Sequence, residues 1–323
     1  MKPCQPSRQG GAALLSAMLT VALVASLASA ALWSQWRQVE IEIAERGRSQ
    51  AGWLMTGALD WARLILAEDA RSAPDADHLG EPWALPVQES KLSTFLSHDQ
   101  QWRAGDPDVY LSGQIHDAQA RLNLSSLLDN GQPAPSALAA WRRLFRRLDL
   151  PQSELDVLVR RWQQAWTAAQ AASQNPRPPG DTAGQPPLLP QRLEQLAWLG
   201  LGTDTMARLR PYATVLPVPT PVNLNTAPAP VLEAVVPGLD APSARQLVAR
   251  RNQKPWSSLQ EAAQAMGPMG HLLDSRQHAV RSRFFEIQGQ LRIDQQVQND
   301  LVLVEREGQQ VRMLWRFRTP KQL

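Results

Sequence analysis

The chain has one cysteine, Cys4, so it can form no intramolecular disulfide and offers no cluster of thiolates to a metal. No charged residue stands between Arg8 and Arg37, and no proline between Ala12 and Asp69. Charge of one sign is also scarce in excess: 33 Lys and Arg against 30 Asp and Glu leave +3, too little by itself to argue for a nucleic-acid partner. No Gly-rich stretch is followed by Lys and Ser or Thr, so there is no phosphate-cradling loop, and no Gly-x-Ser-x-Gly elbow presents a nucleophile. His78, His98, His116, His271 and His278 share no spacing that would join them in a metal or catalytic group. His78, beside Asp77 and Glu81, is read as a loop hydrogen-bonding residue ahead of a metal ligand. These absences remove the usual supports for an enzyme.

What the N-terminus does have is a basic leader, the pair Gly10-Gly11, and then the apolar run opening Ala12-Ala13-Leu14-Leu15. One reading is a prepilin-type leader, cut at Gly11/Ala12 on the cytoplasmic side so that the apolar helix is kept. The other is a secretory signal ending at Ala28-Ser29-Ala30. The 22 residues Ala12 to Trp33 are long enough to cross roughly 30 Å of hydrocarbon, and Trp33 and Trp36 stand at its end like interface anchors, which favours retention. Apolar positions continue at helical spacing through Val39, Ile41, Ile43, Trp53, Leu59, Trp61 and Leu66, predicting one helix over 12–69 of about 87 Å. Pro74 and Pro82 then mark a loop.

Further on, Asp108 to Asp117 alternates as a strand, and helical periodicity runs from about Ser136 to Ala172. A linker rich in Pro, Gly, Gln and Asn spans Ser173 to Pro190. Short helices follow over Gln191 to Leu199, Asp204 to Tyr212 and Ala229 to Met266. Phe284 to Ile293, Asp300 to Glu305 and Val311 to Phe317 read as three antiparallel strands, the last two joined across Glu307-Gly308. Helices between strands of one sheet predict an α+β fold carrying an insertion. The expected organisation is a leader 1–11, a long helix 12–69 with 12–33 in the membrane, an α/β domain from 70–121 and 282–323, and an inserted helical domain 122–281.

Five stretches together carry a resemblance: Gly11 with Ala12-Ala13-Leu14-Leu15; Asp77-His78-Leu79-Gly80-Glu81-Pro82-Trp83-Ala84; Gly113-Gln114-Ile115-His116-Asp117 with Arg121-Leu122-Asn123-Leu124; Val222-Asn223-Leu224-Asn225-Thr226-Ala227-Pro228; and Ser282-Arg283-Phe284-Phe285-Glu286-Ile287. In this order they resemble the minor pseudopilin K family of the type II secretion system over nearly the whole chain. The resemblance implies a pilin-like α/β domain with a large helical insertion. It further implies a non-enzymatic subunit at the tip of the periplasmic pseudopilus, assembling with the small pseudopilins I and J after cleavage by the prepilin peptidase. It would be anchored once in the bacterial inner membrane, N-terminus in the cytoplasm and body in the periplasm. Ser16 would then be the fifth mature residue, where most pilins have glutamate. In those pilins the carboxylate can offset a neighbour's N-terminal amine within lipid, a need that a first subunit lacks; alternatively Ser16 is simply a small residue on a membrane helix.

The family commonly carries acidic residues after a tryptophan, suited to calcium. The corresponding stretch here is Trp162-Gln163-Gln164-Ala165-Trp166, with Asp181 near Gly180. Calcium binding is therefore expected to be weakened or lost unless Asp156 or Asp181 compensates, and no cofactor is expected. Asn223 to Gln264, with Pro237-Gly238-Leu239-Asp240 between two helices and Arg250-Arg251 following, resembles a helix-hairpin-helix unit (223–266). Such units bind DNA through hairpin amides and nearby cations, but Asp240 stands where that motif wants a second glycine, so nucleic acid is not expected. A DNA-uptake protein and a minor pilin of a type IV pilus are the alternative readings. Arg142, Arg143, Arg146 and Arg147 are read as a solvated helix face or partner surface, the scattered tryptophans as core or rim packing, and Asn123 and Asn225 as caps or turn formers.

Overall fold

The computed structural model describes residues 10–92, 108–174, 188–293 and 296–319. Helix α1 spans Gly10–Ser72, and the chain divides into two compact units, Met1–Gly57 and Ala58–Leu323. Within the first unit α1 is long and apolar enough to cross a membrane, and its large side chains from Leu14 to Trp36 are exposed. Its hydroxyls bond back onto the helix, Ser16 Oγ to Ala13 O (2.9 Å) and Thr20 Oγ1 to Ala17 O (2.8 Å). In lipid this satisfies groups that would otherwise lack a partner. Residues 1–9, with Cys4 and most of the expected leader, lie outside the described residues.

In the second unit the last turns of α1 bury Leu59, Ala62, Leu66 and Ala70, a stripe at helical spacing. Among the described residues the main sheet has five strands: β1 (Val87–Lys91), β2 (Val109–Asp117), β3 (Phe284–Ile293), β4 (Gln296–Glu307) and β5 (Gln310–Thr319). They pair antiparallel in the order β1-β2-β3-β4-β5, with Ile115 opposite Ile287 and Ile287 opposite Val302. Arg63 ties α1 to the sheet by donating to Val311 O from both Nε (2.9 Å) and Nη2 (2.6 Å). Between β2 and β3, Gly113 has no room for a side chain, since a Cβ there would meet Gln288 O at 2.7 Å.

The chain between β2 and β3 is mainly helical. Its α-helices are α2 (Pro135–Arg147), α3 (Gln152–Gln174), α4 (Thr203–Leu209), α5 (Ala229–Val235), α6 (Ala241–Gln253) and α7 (Leu259–Ala265). One apolar cluster runs through them from Leu122 to Val280, with Trp141, Phe145, Leu155, Leu232 and Trp256 buried in it. A smaller cluster of Ala118, Leu216, Phe284 and Leu303 joins this region to the sheet. The α+β class, the long N-terminal helix and the three closing strands are as the sequence predicts.

Three local details refine the sequence reading. The single helical stretch over 136–172 is two helices, because Asp149 turns left-handed (φ 53°) and Pro151 cannot continue a helix. Strand β1 has no counterpart in the sequence reading; Gln88, Glu89 and Ser90 give it no apolar alternation, as suits an edge. Of the arginines of α2, Arg142, Arg146 and Arg147 are exposed, as read, and Arg143 is half-buried. Arg143 Nε donates to Ala234 O (2.7 Å), Arg147 pairs with Glu233 (2.9 Å), and Arg142 lies 3.5 Å from Asp156.

Candidate functional site at a buried polar node

Four of the five sequence stretches singled out above converge in the second unit. Asp77 and Glu81 come from the loop after α1, Asp117 ends β2, Asn223 and Thr226 belong to the segment before α5, and Ser282 precedes β3. Asp69 on α1 and Arg306 on β4 complete the node, and all eight side chains are buried. Asp69 falls on the same helix face as the buried Leu59, Ala62, Leu66 and Ala70, while Arg306 continues the buried face of Val302 and Val304 with period two.

Asn223 is the hub. Its Nδ2 donates to Asp117 Oδ2 (3.0 Å), Ser282 Oγ (3.0 Å) and Asp77 O (3.1 Å). Asp117 Oδ2 also accepts from Thr226 Oγ1 (2.5 Å) and Ser282 Oγ (2.7 Å), and its Oδ1 accepts from Gln119 N (2.7 Å). Asp77 Oδ2 accepts from Ser282 N (2.6 Å). Arg306 donates to Asp69 Oδ2 (2.8 Å), Asp77 Oδ1 and Ser282 O (3.0 Å), and its guanidinium stacks 4.7 Å from the Phe285 ring centroid. Trp83 packs edge-on against the same ring at 5.2 Å and donates its Nε1 to Glu81 Oε2 (2.6 Å). Polar groups buried in this way must be paired, so the node fixes the mutual position of the helix end, sheet and insertion.

Burial disfavours the charged forms here. It raises the Asp117 carboxyl from 3.8 to about 6, against the bonds from Ser282 and Thr226 that lower it. Asp69 rises to about 6 through burial first, then through the nearby charges of Glu81 and Asp77. Glu81 is pushed up and His78 down, each mainly by burial. His78 makes the loop bond its sequence suggests, accepting from Gly80 N at Nδ1 (3.1 Å).

Sequence reasoning names Asp117, Asn223 and Ser282 only as parts of motifs, weighs Asp77 and Glu81 as neighbours of His78, and does not bring in Asp69 or Arg306. A charged residue on an otherwise buried periodic face was the available signal for both.

The remaining sequence candidates lie elsewhere. Gly11, Ala12 and Ser16 are in the first turns of α1. Asp181 lies outside the described residues, and Asp156 sits on α3 facing Arg142. In the Trp162–Trp166 stretch Gln163 uses its amide to donate to Gly131 O (2.8 Å), and Trp162 and Ala165 are buried in the apolar cluster. Asn123 caps a turn by accepting from Ser125 N (3.0 Å), while Asn225 binds the backbone of Trp256 through both N (3.0 Å) and O (2.9 Å). In the hairpin, Gly238 takes φ +79° and Asp240 caps α6 by accepting from Ser243 N (2.9 Å). Arg251 is buried and donates to Leu224 O, and burial lowers its pKa to about 10; Arg250 donates to Ala265 O (3.1 Å). Of the tryptophans, Trp83, Trp141, Trp162 and Trp256 are core, whereas Trp53 and Trp198 are exposed.

Residues 222–281 and 120–218 match two family models, each described as type II secretion system protein K. A type II secretion system protein K from Klebsiella pneumoniae is 30% identical over 270 residues, covering 78% of each chain. The Pseudomonas aeruginosa protein of that name is 25% identical over 295 residues, covering 86% of this chain and 83% of the relative. The Pectobacterium carotovorum protein is 27% identical over 336 residues, 96% of both. A chain from the crystal structure of the GspK-GspI-GspJ complex of the enterotoxigenic Escherichia coli type 2 secretion system matches with TM-score 0.62 at 20% identity. The match covers 86% of this chain and 99% of that one, and shows that the two share a fold.

Proposed function

The chain belongs to the protein K family of the type II secretion system, and from that premise we propose that it is the tip subunit of the periplasmic pseudopilus, acting mechanically rather than as an enzyme. After cleavage between Gly11 and Ala12 by the prepilin peptidase, the apolar part of α1 would stay in the inner membrane with its N-terminus in the cytoplasm. The body would stand in the periplasm with the small pseudopilins I and J, and the insertion would block a further subunit from adding above it. Support for these partners comes from the shared fold with a chain of the GspK-GspI-GspJ complex.

The observation that carries this reading is the Asn223–Asp117–Ser282 network, which joins the insertion to the sheet through buried polar bonds. A cap that resists load must move with the subunit bearing it, and a buried, fully bonded junction does so where a flexible tether would not. The test is co-expression with the small pseudopilins, followed by purification from membranes through a tag on this chain. Recovery of both partners supports the reading.

DNA binding is the second reading because the hairpin has the form of a helix-hairpin-helix unit. The burial of Arg251 against Leu224 O counts against it, since that guanidinium is not free to meet a phosphate as such units require.

A further inference from the structure

At one end of the node three carboxylates meet. One oxygen from each of Asp69, Asp77 and Glu81 lies within 4.8 Å of the others, and all three side chains are buried. Arg306 bonds Asp69 and Asp77 and supplies one positive charge against three negative. With all three carboxylates ionised, the cluster is short of two positive charges. A buried charge without a counterion is costly, so the deficit calls for a partner.

Hydrogen bonds account for most of these oxygens. Arg306 occupies Asp69 Oδ2 and Asp77 Oδ1, Ser282 N occupies Asp77 Oδ2, and His78 N (2.9 Å) and Trp83 Nε1 (2.6 Å) occupy Glu81 Oε2. Glu81 Oε1 is different. It is buried on a side chain only 5% exposed, and no hydrogen-bond partner reaches it. The Nε2 atom of His78 is 3.8 Å away from it, beyond hydrogen-bond reach. With Nδ1 accepting from Gly80 N, the ring's proton sits on Nε2, which therefore cannot ligate.

We propose that Asp69, Asp77 and Glu81 hold one hard divalent cation, with Glu81 Oε1 as its anchoring ligand. Two positive charges close the balance of the cluster. The donors are carboxylate oxygens without thiolate or available imidazole, a set that selects calcium, magnesium or manganese over zinc. The ion would tie the last turn of α1 to the loop that follows it, beside the Arg306 bridge to the sheet. This site is separate from the Trp162–Trp166 stretch and does not depend on the proposed role at the tip.

Manganese is the probe, read by the loss of its free-ion paramagnetic resonance signal on binding, with the full chain in detergent micelles at pH 7.5. One ion is expected to bind per chain and to be displaced by calcium. Glu81→Gln and Asp69→Asn should each weaken binding at least about tenfold, whereas Asp156→Asn should leave it unchanged. Near-UV circular dichroism of Glu81→Gln, which keeps the shape of the side chain, establishes that the variant is folded. A free-ion signal that persists at one equivalent of manganese overturns the proposal, leaving protons as what balances the cluster. Binding that survives both substitutions, or that yields to zinc but not to calcium, overturns it as well.

Discussion

Asn223 and Asp117 lie 106 residues apart in the chain and meet through a buried hydrogen bond of 3.0 Å from amide to carboxylate. Around that bond the helix end, the sheet and the insertion become one network, so substitutions there should act on the whole second unit rather than on one element.

Asn223→Ala removes two N–H donors shared among three acceptors and leaves Asp117 and Ser282 short of a partner. The expected loss is about 2–4 kcal/mol, since each buried group left unsatisfied costs on the order of 1–3 kcal/mol. Arg306→Met strands Asp69 and Asp77 without their cation and should cost roughly 3–5 kcal/mol. Chemical denaturation followed by tryptophan fluorescence measures both, and Arg46→Met on an exposed helix pair serves as the control with a loss below about 1 kcal/mol.

Stability should fall as pH rises through the node. Asp117 binds its proton more tightly in the folded chain, near pH 6, than at the ordinary 3.8. Its contribution is therefore fully present below about 4 and lost as pH climbs through about 6. For the fully buried Asp117 the span is on the order of 2–3 kcal/mol. Denaturation midpoints from pH 4.5 to 7.5 measure the slope, and Asp117→Asn should flatten it.

Arg251→Met should change DNA affinity little and stability more. Its guanidinium is buried against Leu224 O, so replacement leaves that carbonyl without its donor, at a cost of about 1–3 kcal/mol. Fluorescence anisotropy with labelled duplex at low salt should show no affinity that depends on Arg250 or Arg251.

Asp156→Asn should shift the denaturation midpoint by less than about 1 kcal/mol, with or without calcium, because its pair with Arg142 is half exposed at 3.5 Å. Calorimetry on this variant and on the parent chain should give the same calcium isotherm.

How far the sequence reveals this architecture depends on how local the signal is. The period of two in Phe284 to Ile293 and Val311 to Phe317, and the uninterrupted apolar run after Ala12, each lie within one element and are legible without a structure. β1 is not, because an edge strand with Gln88, Glu89 and Ser90 presents no buried face to alternate. The break between α2 and α3 is written in Asp149-Leu150-Pro151, but the apolar stripe on either side of it masks the turn. The node is legible only in pieces. Each motif is visible, yet nothing local says that Asn223 faces Asp117 or that Arg306 reaches Asp69, since contacts spanning 106 and 237 residues leave no period behind.

The most direct measurement is native mass spectrometry of the chain purified from membranes in which the prepilin peptidase and the small pseudopilins I and J are also expressed. The result expected is a chain beginning at Ala12, with the apolar helix retained, in a complex with both partners. A chain beginning at Ala31, or a processed chain that carries neither partner, would contradict its assignment as the tip subunit.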